Sequence, residues 1–387
     1  MNSDHDITSI VTWLMAGAPP PGSLENLVEA FAEQLISAGF PIDSIALYKY
    51  NIHPIFPANG VQWTKNRGVR QQTIPHDFIG SQDFQNSPQA TTIRDRRMLR
   101  YQLKENDNDD LQLPTISSYR KSGYTDVVAL PLFNVDGSTN KSLLIGTRHD
   151  NGFSDDQVRH MRRLQAPIAR VSEHFGDRSD MEVVLSTYLG KETGRKVLDG
   201  RIQRGDGDTI SAVILFVDIV GFTDLSNSQP ATEVLRILND FFEVINSSVV
   251  ANYGEILKFM GDGALVIFPV VDDLTAQEAA ARNALNAITL SRVELQGHDD
   301  VTAIEFRASL HVGEIFYGNI GSQSRLDFTA IGPAVNLASR LLEKAGALNA
   351  KTVCSEAFKS ISNVVADSGT SCELKGFEQP ISIYTVD

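Results

Sequence analysis

The sequence predicts an α+β protein of two α/β domains, the second a sandwich in split-βαβ, ferredoxin-like order. Three observations predict it. Residues 211–224, SAVILFVDIVGFTD, contain a continuous apolar run, 213–217, that reads as a buried strand and stops on Asp218. From there to the end the segments run strand, helix, strand, strand, helix, strand, which is the split-βαβ order. The front half runs helix, strands, irregular middle, hairpin and helix, and 387 residues are too many for one ordinary core.

Composition narrows the class. Apolar residues at 42% and charged residues at 21% are the proportions of a soluble globular chain. The formal net charge is −14 and no basic patch interrupts it, so neither nucleic acid nor an anionic membrane surface is an expected partner. No apolar run approaches the ~20 residues that span a bilayer. Cys354 and Cys372 make neither a metal nor a disulfide framework, which agrees with a cytoplasmic location. The start, MNSDHD, is acidic where a secretory signal is basic, and the apolar run 10–18 stops at Pro19-Pro20-Pro21. Residues 1–22 therefore read as a lead-in.

The front domain is placed at 23–175. Apolar positions 24, 27, 28, 31 and 35 predict a helix over 24–38, ended by Gly39 and Pro41. SIALYKY (44–50) and GVQWTK (60–65) read as strands. Residues 66–115 are polar and poorly periodic, with KENDNDD (104–110) as a solvated loop. TDVVALPLFN (125–134) and KSLLIGTRH (141–149) flank Asp136-Gly137 and predict a hairpin. Ser154 is a fitting N-cap for the next helix. Met161, Leu164, Ile168, Val171 and Phe175 then form a short heptad seam, kinked by Pro167 and interrupted at Gly176-Asp177. A second apolar stripe, Met181, Val184, Leu185, Tyr188 and Leu189, belongs to a helical connector over 176–205. Each stripe either packs on its own domain or forms a parallel dimer stalk.

The chemistry-bearing residues lie in the last part, 206–387. An acid ending a buried strand, Asp218, sits where the backbone reaches the surface and can bind a cation. The turn through Gly221, Phe222 and Thr223 can aim N–H groups at an anion. Cation and anion together suggest a metal-bound nucleotide. A helix follows, carrying Val234, Leu238, Phe241, Phe242, Ile245 and Val249. GEILKFMGDGALVIFP (254–269) is a hairpin around Gly261-Asp262-Gly263, followed by a helix over about 275–295, strands at 305–321 and 325–332, a helix at 333–345 and a last strand ISIYTV. Taken singly, Asp262 is a common hairpin-turn residue, Lys258 an outward strand residue, and Asn336 with Arg340 an i,i+4 pair on a helix.

Together, FVDIVGFT, GEILKFMGDG, HVGEIFYGNIG, TAIGPAVNLASR and ELKGF, in this order, resemble the class III nucleotidyl cyclases, the adenylyl and guanylyl cyclase homology domain. YLGKETGRKVLDGRIQR (188–204) is similar to the segment that precedes bacterial cyclase domains. The front domain's element order resembles a GAF-type sensory domain. That resemblance implies a small-molecule ligand or dimerisation alone, with no cysteine in it for a covalent chromophore.

The cyclase resemblance implies two divalent ions, Mg²⁺ or Mn²⁺, held by Asp218, Asp262 and the carbonyl of Ile219. It implies attack of the ribose 3′-hydroxyl of ATP on the α-phosphorus, giving 3′,5′-cyclic AMP and pyrophosphate. Asn336 would orient the ribose, Arg340 would stabilise the α-phosphate, and Lys375 would meet the terminal phosphates, with Phe222 and Thr223 also on the substrate. A lysine only donates; adenine N1 accepts, whereas guanine N1 carries a hydrogen, so Lys258 favours adenine. The residue aligned as its partner is Thr329, which resembles the bicarbonate-stimulated subclass; Asp327, two residues away on the same strand face, is a second candidate.

Lys258 and Asp262 are four residues apart, at most about 14 Å and less across a turn. One hairpin can hardly grip both the base and the metal-bound phosphates of one ATP, so a homodimer with two composite sites is expected. The rival readings are a guanylate cyclase and a catalytically silent nucleotide-binding module.

Overall fold

The chain divides into two units, Met1–Val184 and Leu185–Asp387. The structure is a computed structural model that describes residues 3–20, 22–50, 57–104, 113–270, 274–296, 304–362, 364, 366 and 368–386. Residues 105–110 of the expected solvated loop lie outside them. Among the described residues no helix is long and apolar enough to cross a membrane.

The first unit is built on a six-stranded antiparallel sheet, ordered β3-β2-β1-β6-β5-β4. Its strands are β1 (Ser44–Tyr50), β2 (Ala58–Thr64), β3 (Gly68–Ile74), β4 (Leu99–Gln102), β5 (Asp126–Phe133) and β6 (Thr139–Thr147). The helices are α1 (Ser3–Met15), α2 (Leu24–Ser37), four short ones, α3 (His76–Ile79), α4 (Gln82–Gln85), α5 (Pro88–Asp95) and α6 (Pro114–Lys121), and α7 (Asp155–Leu189). Ile45, Leu47, Leu143 and Ile145 of the sheet pack with Leu27, Phe31 and Leu35 of α2. Ser154 Oγ accepts from the Gln157 N–H at the start of α7, as an N-cap does.

Three expectations need correction. The lead-in is helix α1, and Ile7, Ile10 and Leu14, spaced three and four apart, are buried in the unit's core. The polar middle contains β3 and β4; β3 escaped notice because it is an edge strand whose burial is confined to Ile74. Of the two readings of the heptad seam in α7, packing on its own domain holds: Met161, Leu164, Ile168 and Val171 are buried in this unit and Phe175 packs against them. Finally, α7 continues without a break through Gly176-Asp177, where the sequence predicts an interruption. Gly176 is there for space, since a Cβ would come within 2.8 Å of the Lys49 Nζ beneath it. Met181 and Tyr188, further along, are exposed.

Lys49 and Lys141 are opposite each other on β1 and β6, and both are buried. Lys49 pairs with Asp180 of α7 at 2.6 Å. Burial pulls the Lys141 ammonium down to about 8, with Glu173 opposing. Between that value and 10.5 the unfolded chain holds more protons than the folded one, so Lys141 destabilises fully below pH 8 and ceases to do so as pH rises past 10.5. After allowance for screening this is a penalty of up to about 2 kcal/mol. Lys141→Met should therefore raise stability by roughly 1–2 kcal/mol at pH 7 in chemical denaturation, and its lead over wild type should shrink toward pH 10.

The second unit is organised on β7 (Gly207–Ile219) in an eight-stranded sheet, β13-β14-β12-β10-β7-β9-β8, with β11 paired to β10. The partners are β8 (Glu255–Met260), β9 (Gly263–Val270), β10 (Phe306–Gly321), β11 (Leu326–Ile331), β12 (Thr352–Ser355), β13 (Thr370–Cys372) and β14 (Ile381–Thr385). Its helices are α8 (Lys191–Leu198), α9 (Phe222–Ser228), α10 (Ala231–Ala251), α11 (Leu274–Gln296), α12 (Pro333–Ala347) and α13 (Glu356–Ser362). Val213, Leu215 and Val217 face Phe241 and Ile245 of α10 and Ala284 and Ile288 of α11. Ala212, Ile214 and Phe216 face Ala334 and Ala338 of α12. Burial on both faces explains the unbroken apolar run. The parallel pairing of β12 with β10 closes the α12 crossover, so the α+β, split-βαβ expectation holds.

Candidate active site

Asp218 is the next-to-last residue of β7 and alternates with Phe216, which sets it on the α12 side of the sheet. Antiparallel β9 puts Gly263 opposite Asp218, which brings the turn residue Asp262 alongside. The Ile219 N–H donates to the Asp262 carbonyl at 3.3 Å and ties the two segments together. Gly263 has no room for a side chain: a Cβ would lie 2.6 Å from the Val217 carbonyl oxygen and 3.1 Å from Asp218 Oδ1. Gly221, with φ of +72°, turns the chain from β7 into α9, whose first turn holds Phe222 and Thr223.

Burial and the adjacent Asp262 carboxylate push Asp218 up to about 6, while Arg307, opposite it on β10, pulls it down. Two crowded acids of this kind favour a cation between them. Among the described residues they are not part of any group of three or more His, Cys, Asp or Glu. A pair of carboxylates, with water, backbone carbonyl and substrate oxygens completing the shell, suits Mg²⁺ or Mn²⁺.

A second group lies on the neighbouring strands. Lys258 Nζ of β8 is 2.8 Å from Asp327 Oδ2 of β11, and both side chains are about half exposed. The hydrogen bond from Lys258 holds the Asp327 carboxyl below its usual range. Thr329 follows on the same face, opposite Gly318. A third group is on α12: Asn336 is exposed, and the Arg340 guanidinium pairs with Glu343 of its own helix. Lys375 is exposed in the turn between β13 and β14. Among the described residues no hydrogen bond or ion pair joins either Asp218 or Asp262 to Lys258, Thr329, Asn336, Arg340 or Lys375. Within one chain the predicted residues thus form separate parts. Arg307 was not legible as a site residue, because only the β7–β10 register places it opposite Asp218.

Fold and acid pair define an α+β domain with two carboxylates crowded together at the end of its central strand. Residues 207–387 match the family of the adenylate and guanylate cyclase catalytic domain. The match runs from the first residue of β7 to the end of the second unit. An uncharacterized protein of Mycobacterium tuberculosis and one of Mycobacterium bovis are each 33% identical over 221 residues, 56% of this chain; the chain spans about 40% of the length of these relatives. The adenylyl cyclase CyaB from P. aeruginosa is similar in structure, with 28% identity over 47% of this chain and 95% of that one and a TM-score of 0.41. The guanylyl cyclase Cya2 is likewise similar, with 26% identity, coverage of 46% and 93%, and a TM-score of 0.41.

Gly263→Ala should force β9 away from β7 at the acids. We expect a loss of roughly 1–3 kcal/mol in stability and a marked loss of the thermal upshift produced by millimolar Mn²⁺, both read by calorimetry.

Proposed function

We propose that this protein is an adenylate cyclase that converts ATP to 3′,5′-cyclic AMP and pyrophosphate at a homodimer interface. The observation that carries the proposal is the division of labour on one sheet: a crowded acid pair at the end of β7 and, separately, a donor–acceptor pair, Lys258 with Asp327. Asp218, Asp262 and the Ile219 carbonyl would hold the divalent ions. When bound, these ions supply charge neutralisation on the triphosphate and acidify the ribose 3′-hydroxyl. The N–H groups of Phe222 and Thr223 face the phosphates and Lys375 meets their outer end. Asn336 orients the ribose, and Arg340 leaves Glu343 to stabilise charge on the α-phosphate. Lys258 donates to adenine N1, and Asp327 or Thr329 accepts from the adenine amine. A second copy supplies whichever half each acid pair lacks.

A specific observation keeps GTP in view. Guanine presents O6 as an acceptor beside N1–H as a donor, and Lys258 with Asp327 offers a donor beside an acceptor. Competition between ATP and GTP therefore decides the base. Purified protein with Mn²⁺ and ATP should yield cyclic AMP, and Asp218→Ala should lower kcat by at least ~10³-fold. No product from either nucleotide would remove the proposal; a higher kcat/KM for GTP would replace ATP.

The proposal extends to control by the first unit, acting as a GAF-like sensory domain, and to stimulation by bicarbonate. A cleft of about 290 Å³ beside Lys49, walled by Gln71, Gln72 and Asp180, is where we assign a small ligand. Activity of the full chain against residues 206–387 alone, with and without millimolar bicarbonate at constant pH, reads both. Equal activities and no bicarbonate response would remove this extension.

A further inference from the structure

Behind the exposed Lys258–Asp327 pair lies a buried polar network. Tyr317 Oη of β10 donates to Glu255 Oε2 of β8 at 2.9 Å and is 3.1 Å from Thr193 Oγ1 of α8. Thr193 Oγ1 also reaches Glu255 Oε1 at 3.4 Å. Thr193 and Tyr317 are only 1% and 3% exposed. The Tyr317 ring stands edge-on to Phe328 of β11, with centroids 4.7 Å apart, and the Lys196 ammonium of α8 lies 4.3 Å above it. Burial raises the Glu255 carboxyl and the Tyr317 hydroxyl.

The network touches the two strands that carry the base-reading groups. Glu255 is three residues before Lys258 on β8, with a register shift between Ile256 and Lys258 that leaves Leu257 without a ladder partner while Lys258 pairs with Leu265. Phe328 sits between Asp327 and Thr329 on β11. Strands β8 and β11 are thus joined twice, outside by the Lys258–Asp327 ion pair and inside through Glu255, Tyr317 and Phe328. The outer tie has to open when a purine takes both of its ends. The inner one stays closed and holds the spacing across which the base is read. A partly buried carboxylate is costly against an apolar residue of like size, and its hydrogen bonds fix distances that apolar packing leaves loose.

We propose that Glu255 and Tyr317 are positioning residues for purine selection, and that Thr193 makes α8 part of their support. This rests on Lys258 and Asp327 being the base readers. Tyr317→Phe in the full chain keeps the ring against Phe328 and removes the bond. It should leave kcat for ATP within about threefold, raise KM for ATP at least ~fivefold, and shift the ratio of kcat/KM for ATP over GTP toward unity by about tenfold. Glu255→Gln retains an acceptor for the tyrosine and should keep most of the selectivity, whereas Thr193→Val should shift it in the direction of Tyr317→Phe. An active wild type whose ratio is unmoved in Tyr317→Phe, or whose two kcat/KM values fall equally, overturns the proposal alone. Should Tyr317→Phe fail to fold, an unchanged ratio in Thr193→Val overturns it. A wild type that cyclises neither nucleotide overturns the base-reader reading and this proposal with it.

Discussion

Double-sided burial of β7 is the constraint on which the second unit depends. Its large apolar side chains each contribute about 1.5–3 kcal/mol when removed from water, and α10 and α11 on one side and α12 on the other take them all. That burial locks the register, because a slip of one residue would exchange the two faces. With the register locked, Asp218 can only emerge opposite Gly263, and Asp262 only beside it. The crowding that raises Asp218 is therefore a consequence of packing, held in place by a glycine that nothing larger can replace without moving the strands.

The same sheet keeps the other parts of the site apart. Lys258 and Asp327 satisfy each other, Arg340 is occupied by Glu343, and Asn336 stands exposed on α12. Each group is charged or polar and each is free to exchange its present partner for a substrate atom. Acids in one place and exchangeable donors in another are complementary halves, and a two-fold rotation is the operation by which an isologous dimer brings such halves together.

Much of this was legible in the chain itself, for physical reasons. A strand buried on both faces has to be apolar throughout, so β7 announced itself, and the Asp-Gly turn after β8 did the same by its chemistry. The split-βαβ order followed from period alone. What escaped depended on partners far away in sequence. β3 is an edge strand with polar faces, and α1 joined the core only because α2 and the first sheet offer it a surface. The α7 stripe had the spacing of a coiled coil, yet a helix packed on its own sheet shows the same spacing. The Tyr317–Glu255–Thr193 network links residues up to 124 positions apart, and no local pattern marks it.

The central claim is that acids from one copy work with the lysine, amide and guanidinium of another. The most direct measurement mixes two full-length variants, Asp262→Ala and Arg340→Ala, each inactive alone, under conditions where subunit exchange is confirmed by mass. Random pairing regenerates one intact site in each heterodimer, and cyclase activity should return to about a quarter of wild type. Exchange without any return of activity would contradict the composite site.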